Sequence, residues 1–199
     1  NKMEDKITGN LKLVEEPKKT LAMHPRKFGL WLFMVTVVMI FAALTSAYIV
    51  RQGEGNWTQF DLPMSMWVSS LLILISSVTM HWALVSAKSN DLEKVKLAIS
   101  ITSALGVAFL ISQLVVWSDL VADNIYFVGN PSGSFLYVLS GVHGLHLVSG
   151  VIFLIIVLIS TFRYKVHSKN LTQIQMCASY WHFLDVLWIY LFVFLLIYH

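Results

Sequence analysis

The chain has 199 residues, of which 57% are hydrophobic and only 13% are charged, and its mean hydropathy is +0.70. One soluble core of this size cannot enclose so much apolar surface, so the composition excludes an ordinary soluble domain and places the surplus against lipid. The net charge of +3 and the pI near 9.0 do not indicate nucleic-acid binding, because the basic residues fall on loops in a pattern that membrane orientation explains better.

The first segment, residues 1–26, is a polar tail. Residues 1–27 contain seven Lys/Arg and four Asp/Glu with no apolar stretch between them, so we expect no secretory signal peptide in this segment. Mixed charges together with Pro17 and Pro25 predict an extended or weakly structured tail on the cytoplasmic side.

Five runs within residues 27–199, in which Asp185 is the only charged residue, are long enough to cross a membrane, since a spanning helix needs about 20 apolar residues for a hydrocarbon core roughly 30 Å thick. The runs extend over Phe28 to Val50, Met64 to Ala87, Leu97 to Trp117, Ser134 to Phe162 and Ile174 to Tyr198. They predict an all-α polytopic bundle of five transmembrane helices that pack through small residues and interhelical hydrogen bonds. The single cysteine, Cys177, excludes a disulfide or a thiolate metal cluster within the chain.

The loops between these runs predict the orientation. Thirteen Lys/Arg fall in the tail, the second loop and the fourth loop, whereas the first loop contains only Arg51 and the third contains none. Because positive residues favour cytoplasmic loops, we expect a cytoplasmic N-terminus and a periplasmic C-terminus. The third loop, Ser118 to Gly133, would then face the periplasm with Asp119 and Asp123 as a candidate docking surface.

Tryptophans cluster near the ends of the predicted spans. An amphipathic ring is favoured at the membrane interface, so we expect these residues to be anchors or packing residues without a chemical role. They are Trp31, Trp57, Trp67, Trp82, Trp117 and Trp181.

Few ionisable residues lie inside the predicted spans. His143 and His146 are three residues apart on the fourth span, and His182 and Asp185 repeat this spacing on the fifth. Because such groups are costly in hydrocarbon, we expect them to face the bundle interior and to have partners there. Our hypothesis is that Asp185 accepts an interhelical hydrogen bond from His143 or His146.

A metal or haem site is the alternative reading of the same residues, because paired histidines on two helices can ligate iron or copper. A di-iron site would need several carboxylates, and Asp185 is the only one in the predicted spans. We therefore expect no metal site and no catalytic residue, since phosphate loops and positioned nucleophiles are also missing. His81 stands alone near the cytoplasmic end of the second span, while Gly144 and Gly150 are expected to let another helix approach closely.

Two stretches carry a family resemblance. The stretch from Gly141 to Gly150 contains His-Gly-x-His-x-x-x-Gly, and the stretch from Tyr180 to Trp188 contains Trp-His-Phe-x-Asp-x-x-Trp. With these motifs in order, the chain from Pro25 to Tyr198 resembles subunit III of the haem–copper terminal oxidases, in its five-helix bacterial form.

The resemblance implies an accessory, cofactor-free subunit of a complex that reduces oxygen and pumps protons in aerobic respiration. Haem and copper would lie in the partner subunits, among which subunit I would be the main partner, accompanied by subunit II and other subunits of the respiratory complex. The chain would stabilise subunit I, hold phospholipid in a cleft and support proton uptake in the bacterial inner membrane.

The sequence departs from the family pattern in two respects. Longer members have seven helices, and this chain is expected to lack the first two. The glutamates that the family often carries in its first core helix and near the end of the third are Val37 and Val116 here. Valine neither titrates nor forms hydrogen bonds, so a mechanism through those carboxylates cannot operate unchanged, whereas a structural and lipid-holding role survives.

Other functions stay open at this point. The donor of the complex is cytochrome c or a quinol, and a related homologue accompanies nitric oxide reductases. From different classes, a small b-type cytochrome and a proton or solute transporter are the alternatives. The cytochrome would show a haem band in the isolated chain, and the transporter would show internal repeats and broken midplane helices, which we do not find in the sequence.

Overall fold

The computed structural model describes residues 25–55, 57, 62–89, 91–162 and 171–198, so most of the predicted polar tail, residues 1–26, lies outside the described residues. Five long helices follow one another in these ranges, and none of the described residues forms a strand. They are α1 (Pro25–Gly53), α2 (Met64–Lys88), α3 (Leu92–Ala122), α4 (Pro131–Phe162) and α5 (Thr172–Tyr198). Each is long and apolar enough to cross a membrane, which confirms the predicted five-span bundle.

The helices extend beyond the runs that predicted them. Helix α3 shows this best, because it begins at Leu92 and continues to Ala122, past the charged residues that bounded the run. Backbone hydrogen bonding continues into the membrane interface, where charged side chains reach water. Asp91 caps the start of α3 by accepting a hydrogen bond from the Lys94 backbone N–H, and the hydrogen bonds from Lys94 lower the pKa of the Asp91 carboxyl.

Contacts at both ends of the bundle establish the helix directions. Lys27 Nζ of α1 donates to Gln175 Oε1 of α5 at 2.9 Å, and at the other end Gln52 Nε2 donates to the Tyr198 carbonyl at 2.7 Å. Helices α1 and α5 are therefore parallel. The end that carries Lys27, Gln175 and Lys88, which we term the basic end, is the predicted cytoplasmic side.

Trp181 of α5 holds four helices together at the centre of the bundle. It is fully buried, and its Nε1 donates to Ser76 Oγ of α2 at 3.1 Å. Glycines on the two remaining sides make room for the indole ring: a Cβ added at Gly106 of α3 would lie 2.6 Å from Trp181 Cη2, and one at Gly150 of α4 would lie 3.4 Å from Trp181 Cε3. Trp181 is thus a packing residue, one of the two roles that we expected for the tryptophans.

The two glycines expected to mediate close packing differ. At Gly150 an added Cβ would also lie 2.9 Å from Leu184 Cδ1, so α5 approaches the bare backbone there. At Gly144 it would meet nothing within 4 Å. No helix of the described residues approaches Gly144 closely, so close packing at this glycine stays a prediction.

We expect Gly106→Ala to lower the free energy of unfolding by about 1–3 kcal/mol, because the rigid indole of Trp181 must move to admit the added methyl group. Unfolding in detergent, followed by circular dichroism, measures the change. Gly144→Ala is the matched control and should leave stability nearly unchanged, since its methyl group enters open space. Equal stability of the two variants would contradict the packing role of Gly106.

Candidate functional site

His143 lies in a layer of aromatic rings next to the Trp181 layer. It is fully buried, and its ring centroid is 5.1 Å from that of Trp188, 6.0 Å from that of Phe109 and 6.4 Å from that of Phe41. Trp188 Nε1 donates to Ser70 Oγ of α2 at 3.1 Å. Neither nitrogen of His143 has a hydrogen-bond partner in the part of the chain that the structure describes. His143 therefore packs as an aromatic ring.

His146, three residues further along α4, is turned toward α1. Its Nδ1 lies 2.7 Å from the Val142 carbonyl oxygen, one turn earlier in the same helix. Because a carbonyl oxygen can only accept, this bond places a proton on Nδ1. The ring centroid of His146 is 5.8 Å from that of Phe41 and 6.3 Å from that of Phe33. His146 is half-buried and satisfied within its own helix.

Four residues of α2 and α5, namely Ser77, His81, His182 and Asp185, form a second polar group that we term the polar face. His182 Nδ1 is 2.7 Å from Ser77 Oγ and 3.9 Å from Asp185 Oδ2. The ring centroids of His81 and His182 are 6.4 Å apart. His81 is exposed and His182 half-buried, whereas Asp185 is only 3% exposed. Ser77 also lies near the Asp185 carboxyl group, yet neither carboxyl oxygen has a hydrogen bond among the described residues.

The structure does not contain the hydrogen bond that we expected between Asp185 and the histidine pair of α4. His143 has no hydrogen-bond partner among the described residues, and His146 bonds to its own helix. Asp185 is instead closest to His182, one turn away on α5. The rotation of α5 accounts for this, because it directs Asp185 toward the side of α2 rather than toward α4. His81, expected to stand alone, belongs to this polar face.

The arrangement offers little to a metal or a haem. Among the described residues, no three His, Cys, Asp or Glu side chains are grouped so that they could hold a metal ion. The rings of Trp188, Phe109 and Phe41 pack around His143, which is fully buried. The chemistry that this arrangement supports is packing and hydrogen bonding.

The positions where the resembling family often carries glutamates are both in the core. Val37 of α1 is 1% exposed and Val116 of α3 is fully buried. Their apolar side chains pack in the hydrophobic core of the bundle. The side chains at these two positions therefore neither titrate nor form hydrogen bonds in this chain.

Two concave regions lie along α5. An apolar groove of about 420 Å³ separates α1 from α5. It is lined by Val38, Phe41, Ala42, Phe183, Val186, Leu187 and Tyr190. A mixed pocket of about 330 Å³ lies at the basic end, where Lys27, Trp31, Lys88, Gln175 and Ser179 are among its lining residues.

Sequence reasoning selected His182 and Asp185 but missed their neighbours on α2. Ser77 and His81 are four residues apart and so share one side of a helix, just as His182 and Asp185 do. The pair on α2 and the pair on α5 lie at similar distances from the basic end, and α2 and α5 are antiparallel. This match in depth would have predicted that the two pairs meet. Gly106 carried no signal, because nothing in the sequence shows that a tryptophan side chain reaches it.

Comparison with known proteins gives one consistent result. A sequence model described as cytochrome c oxidase subunit III matches residues 15–199. The chain is 27% identical to cytochrome c oxidase subunit 3 of Bacillus sp. (strain PS3), over 95% of this chain and 94% of the relative. It is 32% identical to the corresponding subunit of Synechocystis sp., over 85% and 75%. It is 28% identical to cytochrome bo(3) ubiquinol oxidase subunit 3 of Pseudomonas aeruginosa, over 83% and 81%.

We expect His143→Leu to leave the free energy of unfolding within about 1 kcal/mol of the wild type or to raise it, because replacing an unpartnered buried polar group by an apolar one of similar size is nearly neutral or stabilising. Trp188→Phe is the control for sensitivity and should destabilise the bundle, since it removes the hydrogen bond to Ser70. Thermal unfolding in detergent measures both variants. A larger loss in His143→Leu than in Trp188→Phe would contradict the expectation that an apolar side chain can replace this imidazole.

Proposed function

This chain belongs to the cytochrome c oxidase subunit III family, and we propose that it is the accessory, cofactor-free subunit III of a proton-pumping haem–copper terminal oxidase in aerobic respiration. The observation that carries the proposal is the match to the family over residues 15–199, together with the similarity to subunit 3 of a cytochrome c oxidase and of a cytochrome bo(3) ubiquinol oxidase. In this role the chain stabilises the catalytic subunit I and performs no redox step itself.

The interior of the bundle supports a structural role. Of the two histidines of α4, His143 packs against Trp188, and His146 forms a hydrogen bond within its own helix. The haem and copper of the complex would therefore be held by the partner subunits, with subunit I as the main partner and subunit II and others beside it. The chain acts on the reaction only through those partners.

The concave regions along α5 support the proposal that the chain holds phospholipid. The apolar groove between α1 and α5 is large enough for part of an acyl chain, since pockets for small molecules start at about 300 Å³. At the basic end, Lys27 and Lys88 lie beside Trp31, a combination that suits a phosphate group at the membrane interface. A lipid with its phosphate group at the basic end and an acyl chain in the groove would lie along the outer side of α5.

The proposed role also includes support of proton uptake by the oxidase complex. Val37 and Val116 cannot carry protons, so we assign this support to the stabilisation of subunit I rather than to a proton path through those positions. The distribution of Lys/Arg supports an N-terminus in the cytoplasm and a C-terminus in the periplasm, in the inner membrane of a bacterium.

Affinity purification through a tag on this chain, from native membranes in mild detergent, tests the proposal. The reduced-minus-oxidised spectrum of the purified material should show haem, and oxygen consumption should be supported by reduced cytochrome c or by a quinol, the donors named by the relatives. An unrelated tagged polytopic protein from the same membranes is the control. Recovery of the chain without haem would contradict its assignment to an oxidase.

Deletion of the chain tests the stabilising role separately. The remaining complex should retain its haem and copper and its initial rate of oxygen consumption, but the rate should decline faster during sustained turnover. Re-expression of the wild-type chain should restore the slower decline. The same rate of decline with and without the chain would contradict the role.

A further inference from the structure

The polar face on α2 and α5 does not suit a lipid environment. His81 is exposed, and His182 has about a third of its side chain exposed. Most of the other exposed side chains of the helices are large and apolar, as Met39 on α1, Leu71 on α2 and Leu145 on α4 illustrate. Hydrocarbon offers no hydrogen bond to an imidazole, so exposed histidines at membrane depth mark a surface that meets something polar.

The depth of the two histidines distinguishes a protein partner from a lipid headgroup. Lys88 and Gln175 line one pocket at the basic end. His81 precedes Lys88 by seven residues and His182 follows Gln175 by seven, so each histidine lies about 10 Å further into the membrane at 1.5 Å per residue. The headgroup region of one leaflet is only about 5–8 Å thick. A headgroup near Lys88 would therefore stay above both imidazole rings.

Asp185 lies behind His182 on the inner side of the polar face. Its carboxyl group is almost fully buried, and neither oxygen has a hydrogen bond in the part of the chain that the structure describes. His182 lies directly beside it, 3.9 Å from Oδ2, and is held by the Ser77 hydroxyl through Nδ1. A polar group that bonds to the exposed side of His182 would therefore hold in place the ring that lies beside Asp185.

We propose that the polar face is the intramembrane docking surface for a transmembrane helix of another oxidase subunit, which places a hydrogen-bonding side chain against His81 and His182. The inference rests on the proposed function, which supplies the class of partner. The chemistry requires a hydroxyl, amide or carboxyl side chain on that helix, at the depth of the histidine pair. The partner covers the outer sides of α2 and α5 next to the lipid groove.

Site-specific photocrosslinking in the intact complex tests this proposal without altering the histidines. A benzophenone amino acid replaces Val78, which is exposed on α2 and lies three residues from His81. The matched control replaces Ile152, which is exposed on α4 and is as many residues from the basic end of its helix as Val78 is from Lys88. We expect Val78 to crosslink to another subunit and Ile152 to crosslink to lipid. Adducts of Val78 with lipid alone, or with a second copy of this chain, would overturn the proposal.

The double variant His81→Leu/His182→Leu measures the contribution of the histidines. It should reduce the haem recovered with the tagged chain, with an association about three- to eightfold weaker if one or two interhelical hydrogen bonds are lost. His146→Leu is the control and should leave the recovery unchanged, because His146 bonds within its own helix. If wild-type chain recovers haem but the double variant recovers as much, the docking surface is wrong and the proposed function stands. If wild-type chain recovers no haem, the proposed function itself fails.

Discussion

Indole N–H groups in the hydrocarbon layer need acceptors inside the protein, and serine hydroxyls provide them at the core of this bundle. Trp181 donates to Ser76, and Trp188 donates to Ser70, both on α2. Ser76 in turn donates to a carbonyl of its own helix, so its hydroxyl is satisfied in both directions. The two tryptophans are seven residues apart and therefore lie on one side of α5. Helices α2, α3 and α4 thus pack around α5, which is the central axis of the bundle.

This axis explains which polar residues are structural and which point outward. His143 lies in the Trp188 layer and takes the place of an aromatic core residue. An adjacent, more exposed side of α5 carries His182, which also meets α2, beside Ser77 and His81. The bundle thus combines a closed interior with an open polar surface, which agrees with the proposed role of an accessory subunit that acts through its partners.

The sequence was sufficient to predict the number of helices and their approximate bounds, because the thickness of the hydrocarbon core sets the length of an apolar run. The pairing of side chains between helices could not be predicted, since it depends on the rotation of each helix about its axis. The rotation of α5 directs Asp185 away from α4 and brings Trp181 into the core. Spacing within a helix identified the polar pairs but not which helix each pair would meet.

We infer that the intramembrane histidines pack and dock rather than hold a redox group. The most direct test is the absorption spectrum, with iron and copper analysis, of the chain after its separation from the partner subunits in detergent. The account predicts a colourless, folded, helical chain without stoichiometric iron or copper, while the partner fraction keeps its haem. A Soret band in the isolated chain that disappears in His143→Leu or His182→Leu would contradict the account.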